Sequence, residues 1–249
     1  MPRIPRSIWV LLMLAVAAVV VPAGARGLIA PVGEAAGICD PIDPRACLLP
    51  WPNDYFTVAD PTTDTGRRLN LNLVAMPRNI AGVPIDPSDF NRNDGFSPGA
   101  LIVTKVHGLD TPAALAKTNP VGLTDLGRYA DPAAPVVVID AATKQRHPIW
   151  VELDRSESLV GKPPPAFDTT LLIRPAVNFA EGHRYIVALR FLKDASGDTL
   201  SAGHAFAAFK KGAGEAGRQP HMNEIFSALE QAGIARGDLY LAWDFTVAS

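Results

Sequence analysis

The run Gly95-Phe96-Ser97-Pro98-Gly99 matches G-x-S-x-G, the spacing of a nucleophile elbow. In such an elbow a strand enters the serine and a helix leaves it. The strained turn exposes the hydroxyl, and the helix start helps to build an oxyanion hole. Ser97 is therefore the candidate nucleophile of this chain. Its flanks argue otherwise, because polar Asn91-Arg92-Asn93-Asp94 enters the motif and Pro98-Gly99 leads into the strand-like stretch Leu101 to Val106. A triad would have to recruit His107, His147, His183, His204 or His221, none of which sits in a recognisable setting. The structural alternative is a loop entering a strand, with Gly95 and Gly99 supplying turn dihedrals. That alternative is the expectation here, so no catalytic residue is assigned.

Other chemistry is weaker still. Asp89-Phe90-Asn91-Arg92-Asn93-Asp94-Gly95 is rich in oxygen ligands, but an EF-hand count from Asp89 puts Asp94 where Gly is required and Ala100 where a bidentate Glu is required. Asx-turns account for the same residues. The five histidines show no zinc-like spacing, and pairing carboxylates among 25 acidic residues is uninformative without geometry. Neither a metal nor a cofactor is expected. Trp51, Tyr55, Phe56 and Trp150 could form a sugar or lipid platform, although aromatics more often fill a core.

The ends of the chain set its compartment. Arg3 and Arg6, an apolar run from Ile8 to Val21 and the small residues Ala23-Gly24-Ala25 have the layout of a secretory signal peptide, residues 1–25. The run is shorter than the roughly 18 to 20 residues of a spanning helix, and Pro22 ends it. Cleavage after Ala25 removes two of the 23 basic residues and none of the 25 acidic ones, leaving a net charge of about −4 that does not invite nucleic acid. Cys39 and Cys47, the only cysteines, flank the Pro-rich stretch Asp40 to Ala46. In an oxidising compartment they form a disulfide whose short loop contributes about 2 to 3 kcal/mol. Bulky Ile38 before Cys39 argues against a lipoprotein anchor. The expected location is secreted or periplasmic, with no stable membrane span after cleavage.

The elements that would have to position any site are mostly strands. From Ile38 to Pro98 the density of Pro, Asn and Asp predicts turns and irregular loops, interrupted by one half-buried strand, Arg68 to Val74, with Leu69, Leu71 and Leu73 on one face. Beyond Pro98, strands are predicted over Leu101 to Val106, Val136 to Ile139 and Pro148 to Leu153, the last two as a hairpin around Asp140 to Lys144. Further strands are predicted over Thr169 to Arg174 and Arg184 to Arg190, and the turn Lys193 to Asp198 leads toward another segment of the same kind, Ala205 to Phe209. One helix, about 219–232, is marked by Met222, Ile225, Phe226 and Leu229 between Pro220 and Gly233. Leu239 to Val247 then alternates as a last strand. Pro163-Pro164-Pro165 reads as a stiff connector. Strands separated by turns without intervening helices predict antiparallel sheets, for which a β-sandwich buries both inner faces.

Several stretches carry a family resemblance. Leu171-Leu172-Ile173-Arg174-Pro175, Gly182-His183-Arg184-Tyr185-Ile186-Val187 and Lys193-Asp194-Ala195-Ser196-Gly197-Asp198 look like a bacterial Ig-like pattern, and Trp243-Asp244-Phe245-Thr246 is similar to its closing strand. Leu49-Pro50-Trp51-Pro52-Asn53-Asp54 and Asn93-Asp94-Gly95-Phe96-Ser97 resemble the N-terminal region of large bacterial extracellular lipases of the virulence-factor type. The resemblance implies an antiparallel Ig-like β-sandwich over residues 99–249, with residues 26–98 as an irregular arm and first strand packed on it. It also implies a non-catalytic accessory module, with an α/β-hydrolase domain further downstream as its partner. That reading makes this chain the front part of a longer product. The rival expectations are a free-standing module binding a cell surface or polymer through exposed aromatics, and a serine hydrolase using Ser97.

Overall fold

The computed structural model describes residues 38–43, 47–154 and 169–249. The expected signal segment and the Pro163-Pro164-Pro165 connector lie outside the described residues. Among the described residues the longer elements are mostly strands, arranged in antiparallel sheets with few helices.

A short ribbon pairs β1 (Thr57–Ala59) with β2 (Arg67–Leu69). A three-stranded sheet has the order β3 (Ile102–Thr104), β6 (Thr170–Pro175), β5 (Ile149–Asp154), with Val151 opposite Ile173. A second three-stranded sheet has the order β4 (Val136–Asp140), β7 (Arg184–Arg190), β8 (Leu239–Thr246). Here Val187 is the hub, opposite Val138 on one side and Trp243 on the other. Every residue of β4 and β8 is buried, so these strands are covered on both faces. Inward residues of the two larger sheets, among them Ile102, Ile149, Ile173, Val138, Val187 and Trp243, belong to one hydrophobic core.

Helix α3 (Gln219–Gln231) packs on β7 and β8 and buries Met222, Ile225, Phe226 and Leu229, as its spacing predicts. Two helices were not expected. α1 (Pro112–Thr118) starts where Thr111 Oγ1 accepts from Ala114 N–H at 3.2 Å and ends on Asn119 at φ +53°. α2 (His204–Lys210) occupies the segment read as strand-like over Ala205 to Phe209. Its Phe206 and Phe209 are both buried, the i, i+3 spacing of a helix, and Phe206 lies edge-on to Phe226 at 5.9 Å.

Two further expectations are corrected. The turn after β4 closes as a hairpin should, with Asp140 N–H on Gln145 O at 2.9 Å and His147 N–H on Val138 O at 2.8 Å. At Pro148, which has no N–H to continue the ladder, the chain leaves that sheet and β5 pairs with β6. The strand expected over Arg68 to Val74 stops at Leu69. Asn72 accepts from Val74 N–H at 2.9 Å and winds Leu73–Ala75 into a 3-10 turn, which leaves Leu73 exposed.

Candidate functional site

Ser97 lies in an exposed loop beside the end of β8, where Phe96 N–H donates to Thr246 O at 2.8 Å and Ala248 N–H donates to Phe96 O at 2.9 Å. Its hydroxyl accepts from Gly99 N–H at 3.2 Å, which is loop geometry. The histidine hydrogen bonds among the described residues go elsewhere: His147 to Val177 O, His183 to Asp140 and His221 to Asp244. The glycines of the motif do not serve as turn dihedrals, since neither Gly95 nor Gly99 has a positive φ. Gly95 is required for a different reason. A Cβ there would come within 2.5 Å of Ala248 N and 2.8 Å of Thr246 O, both backbone atoms. Gly99 has no such neighbour; its nearest contact would be 3.8 Å away.

The oxygen-rich run is consumed by the fold. Asn91 bridges Leu71, accepting from its N–H at 2.7 Å and donating to its O at 3.0 Å. Asp94 accepts from the Ser249 N–H and hydroxyl at 3.1 and 2.9 Å. No group of three His, Cys, Asp or Glu among the described residues is placed to hold a metal ion. The aromatics divide. Tyr55 and Phe56 are buried, Trp150 is half-buried on β5, and half-buried Trp51 sits edge-on to Phe96 at 4.9 Å. Trp51 also lines an apolar pocket of about 330 Å³ with Leu71, Met76, Ile85 and Phe90.

The groups that converge most densely are those joining residues 52–54 of the arm to β8, and β8 to α3. Trp243 Nε1 donates to Pro52 O at 2.9 Å. Asn53 Oδ1 accepts from Tyr55 N–H at 2.9 Å, capping the 3-10 turn Asp54–Phe56. Asp54, fully buried, accepts from Thr246 N–H at 2.8 Å and from its hydroxyl at 2.7 Å, and Arg67 Nε stands 3.3 Å away. Beside it, buried Asp244 accepts from Arg184 Nε at 2.6 Å and takes part in a 2.9 Å hydrogen bond with His221 Nε2.

The two carboxylates have opposite electrostatics. Burial, reinforced by the neighbouring Asp244 charge, raises Asp54 above the ordinary carboxylate value. Burial would raise Asp244 as well, but His221 and Arg184 outweigh it and hold its value below the ordinary range. A second Asp–His pair, Asp140 and His183 at 2.6 Å, lies where β4 and β7 meet. Asp140 also accepts from Ala142 and Thr143 N–H, both at 2.8 Å, so the carboxylate shapes the turn. Burial would raise Asp140, but the His183 hydrogen bond and those backbone N–H groups outweigh it and lower its value.

The expected Cys39–Cys47 disulfide is present. Among the described residues no helix is long and apolar enough to cross a membrane. Sequence reasoning missed the convergence of Asp54, Asp244, Arg184 and His221. Its one available signal was an acid at Asp244 inside an otherwise apolar strand. Comparison of the chain with protein-family models, curated proteins and solved structures finds no match.

Proposed function

We propose that this chain is an exported, non-catalytic Ig-like β module that forms the N-terminal part of a secreted lipase- or esterase-type hydrolase and acts there as a scaffold. The observation that supports the reading is the fate of the residues carrying the lipase-like and Ig-like resemblances. Pro52, Asp54 and Phe96 are hydrogen-bonded to Trp243, Thr246 and Ala248 and hold the arm against β8, Gly95 packs against the same backbone, and Asn53 caps the turn that presents Asp54. Residues so deeply engaged explain their own identity by structure and leave no free nucleophile, base or oxyanion donor among them.

The test is hydrolysis of short- and long-chain acyl nitrophenyl esters by the chain, beside Ser97→Ala and after exposure to a serine-directed phosphonate. The expected result is no turnover above that of the variant and no labelling. Turnover abolished by Ser97→Ala would make Gly95 to Gly99 the active site.

A second reading, a free-standing binding module, is favoured by the apolar pocket at Trp51 and by the exposed Leu73, Val74, Ile80, Val83, Ile85 and Phe90 around it in the sequence. It predicts that an apolar ligand changes Trp51 fluorescence, with the change lost in Trp51→Phe.

A further inference from the structure

The arm segment at Asp40 is fastened to the body by an ion pair that physical chemistry makes conditional. Asp40, fully buried, accepts from both terminal nitrogens of Arg218, with Nη2 at 2.8 Å from Oδ2. It also accepts from Asn53 Nδ2 at 2.8 Å and from Ile42 N–H at 3.0 Å. Arg218, just before α3, stands over the Tyr55 ring at 4.8 Å and the Phe209 ring at 5.6 Å. Its Nε is buried and finds no hydrogen-bond partner among the described residues.

A buried pair of this kind is close to break-even. Desolvating two charges offsets most of their attraction unless every remaining proton is satisfied, and here one is not. Asp40 and Arg218 lie 178 residues apart, and the segment they join is also held by Thr104 Oγ1 donating to buried Asp43 at 3.1 Å and by the packing of Ile42 in the core, so the pair shares the entropic cost of ordering it. The Cys39–Cys47 disulfide removes much of that freedom. It ties the residue before Asp40 to Cys47, and Cys39 O accepts from the Tyr55 hydroxyl at 3.2 Å.

We propose that this disulfide is a redox latch: it keeps Ile38–Asp43 seated on Arg218, and its reduction by a dithiol releases that segment locally while the sheets stay folded. In the step the S–S bond takes two electrons and two protons from the dithiol. The products are the Cys39 and Cys47 thiols and the dithiol's own disulfide. Release has a consequence beyond the arm. Pro41, Ile42 and Asp43 form one wall of a pocket of about 540 Å³ whose other walls include His107, Leu200, His204 and Leu241, so the pocket is whole only in the oxidised chain. This inference is independent of the accessory-module reading.

Amide hydrogen exchange of the oxidised and reduced chain tests it. The informative amides are Ile42, bonded to Asp40 Oδ1, and Asp43, bonded to Asp40 O; Thr246 and Phe96, in the tie at β8, serve as internal references. Reduction is expected to speed exchange at Ile42 and Asp43 by roughly thirty-fold, with the references unchanged. The double variant Cys39→Ser, Cys47→Ser is expected to show the same local acceleration without reductant. Unchanged exchange at Ile42 and Asp43 would mean that the ion pair, the Thr104–Asp43 hydrogen bond and the burial of Ile42 hold the segment without the disulfide, and would overturn the proposal. Equal acceleration at all four amides would overturn it too, because the disulfide would then be stabilising the whole fold rather than latching one segment.

Discussion

Asp54 and Asp244 lie in the same buried tie yet are held by different partners. Asp244 is clasped by Arg184 and His221, so replacing it takes the buried carboxylate from two half-buried partners and leaves Arg184 with only Glu224, at 3.7 Å, as an ion-pair partner among the described residues. Asp244→Asn is expected to cost about 3–5 kcal/mol in chemical denaturation. Asp54 leans mainly on neutral Thr246, and its environment already opposes its charge, so Asp54→Asn is expected to cost only about 1 kcal/mol. Their pH dependence differs in sign. A lowered folded-state value means that Asp244 adds stability above the ordinary carboxylate range, about pH 4, and loses it as the pH falls further. A raised value means that ionised Asp54 opposes folding, an effect that disappears as it takes up its proton. The stability gap between the wild-type chain and Asp244→Asn is therefore expected to narrow as the pH is lowered from about 4 to about 2. The glycines of the G-x-S-x-G run separate in the same assay. Gly95→Ala, facing the β8 backbone, is expected to cost about 1–3 kcal/mol, whereas Gly99→Ala stays within about 0.5 kcal/mol. A motif read as chemistry would have weighted the two equally.

At the scale of elements, what the sequence reveals depends on how local the cause is. α3 and β8 were legible because their periodicities are long and uninterrupted. The segment at α2 is short enough for two apolar residues to suit either period, and it is Phe226 on another helix that selects the helical face. Phe206→Ala is accordingly expected to cost about 3–5 kcal/mol, while Ala205→Ser and Ala207→Ser, half-buried on the two flanks of the helix, are expected to be nearly neutral by thermal unfolding. The departure of β5 from its hairpin was half visible, since Pro148 is written in the sequence. Which strand β5 would join was not, because the partner β6 is set by non-local pairing. α1 did carry local signals, Thr111-Pro112 at its start and Asn119 at its end, which reading for strands alone passed over.

For the whole molecule, the organising contact is the one least visible in the sequence. Asp54 and Thr246 lie 192 positions apart, and nothing in either neighbourhood names the other. Family resemblance drew attention to both stretches, and the geometry gives each of them a structural occupation. A tie of this kind holds an irregular arm, poor in its own secondary structure, on a sheet whose last strand would otherwise present an edge. The most direct test is a double-mutant cycle by chemical denaturation, combining Asp54→Ala with Thr246→Val. A coupling energy of about 1–2 kcal/mol is expected, since each change removes the same buried hydrogen bond. Strict additivity of the two changes would mean that the arm and β8 are not held by this contact, and the structural account of the resemblance residues would fail with it.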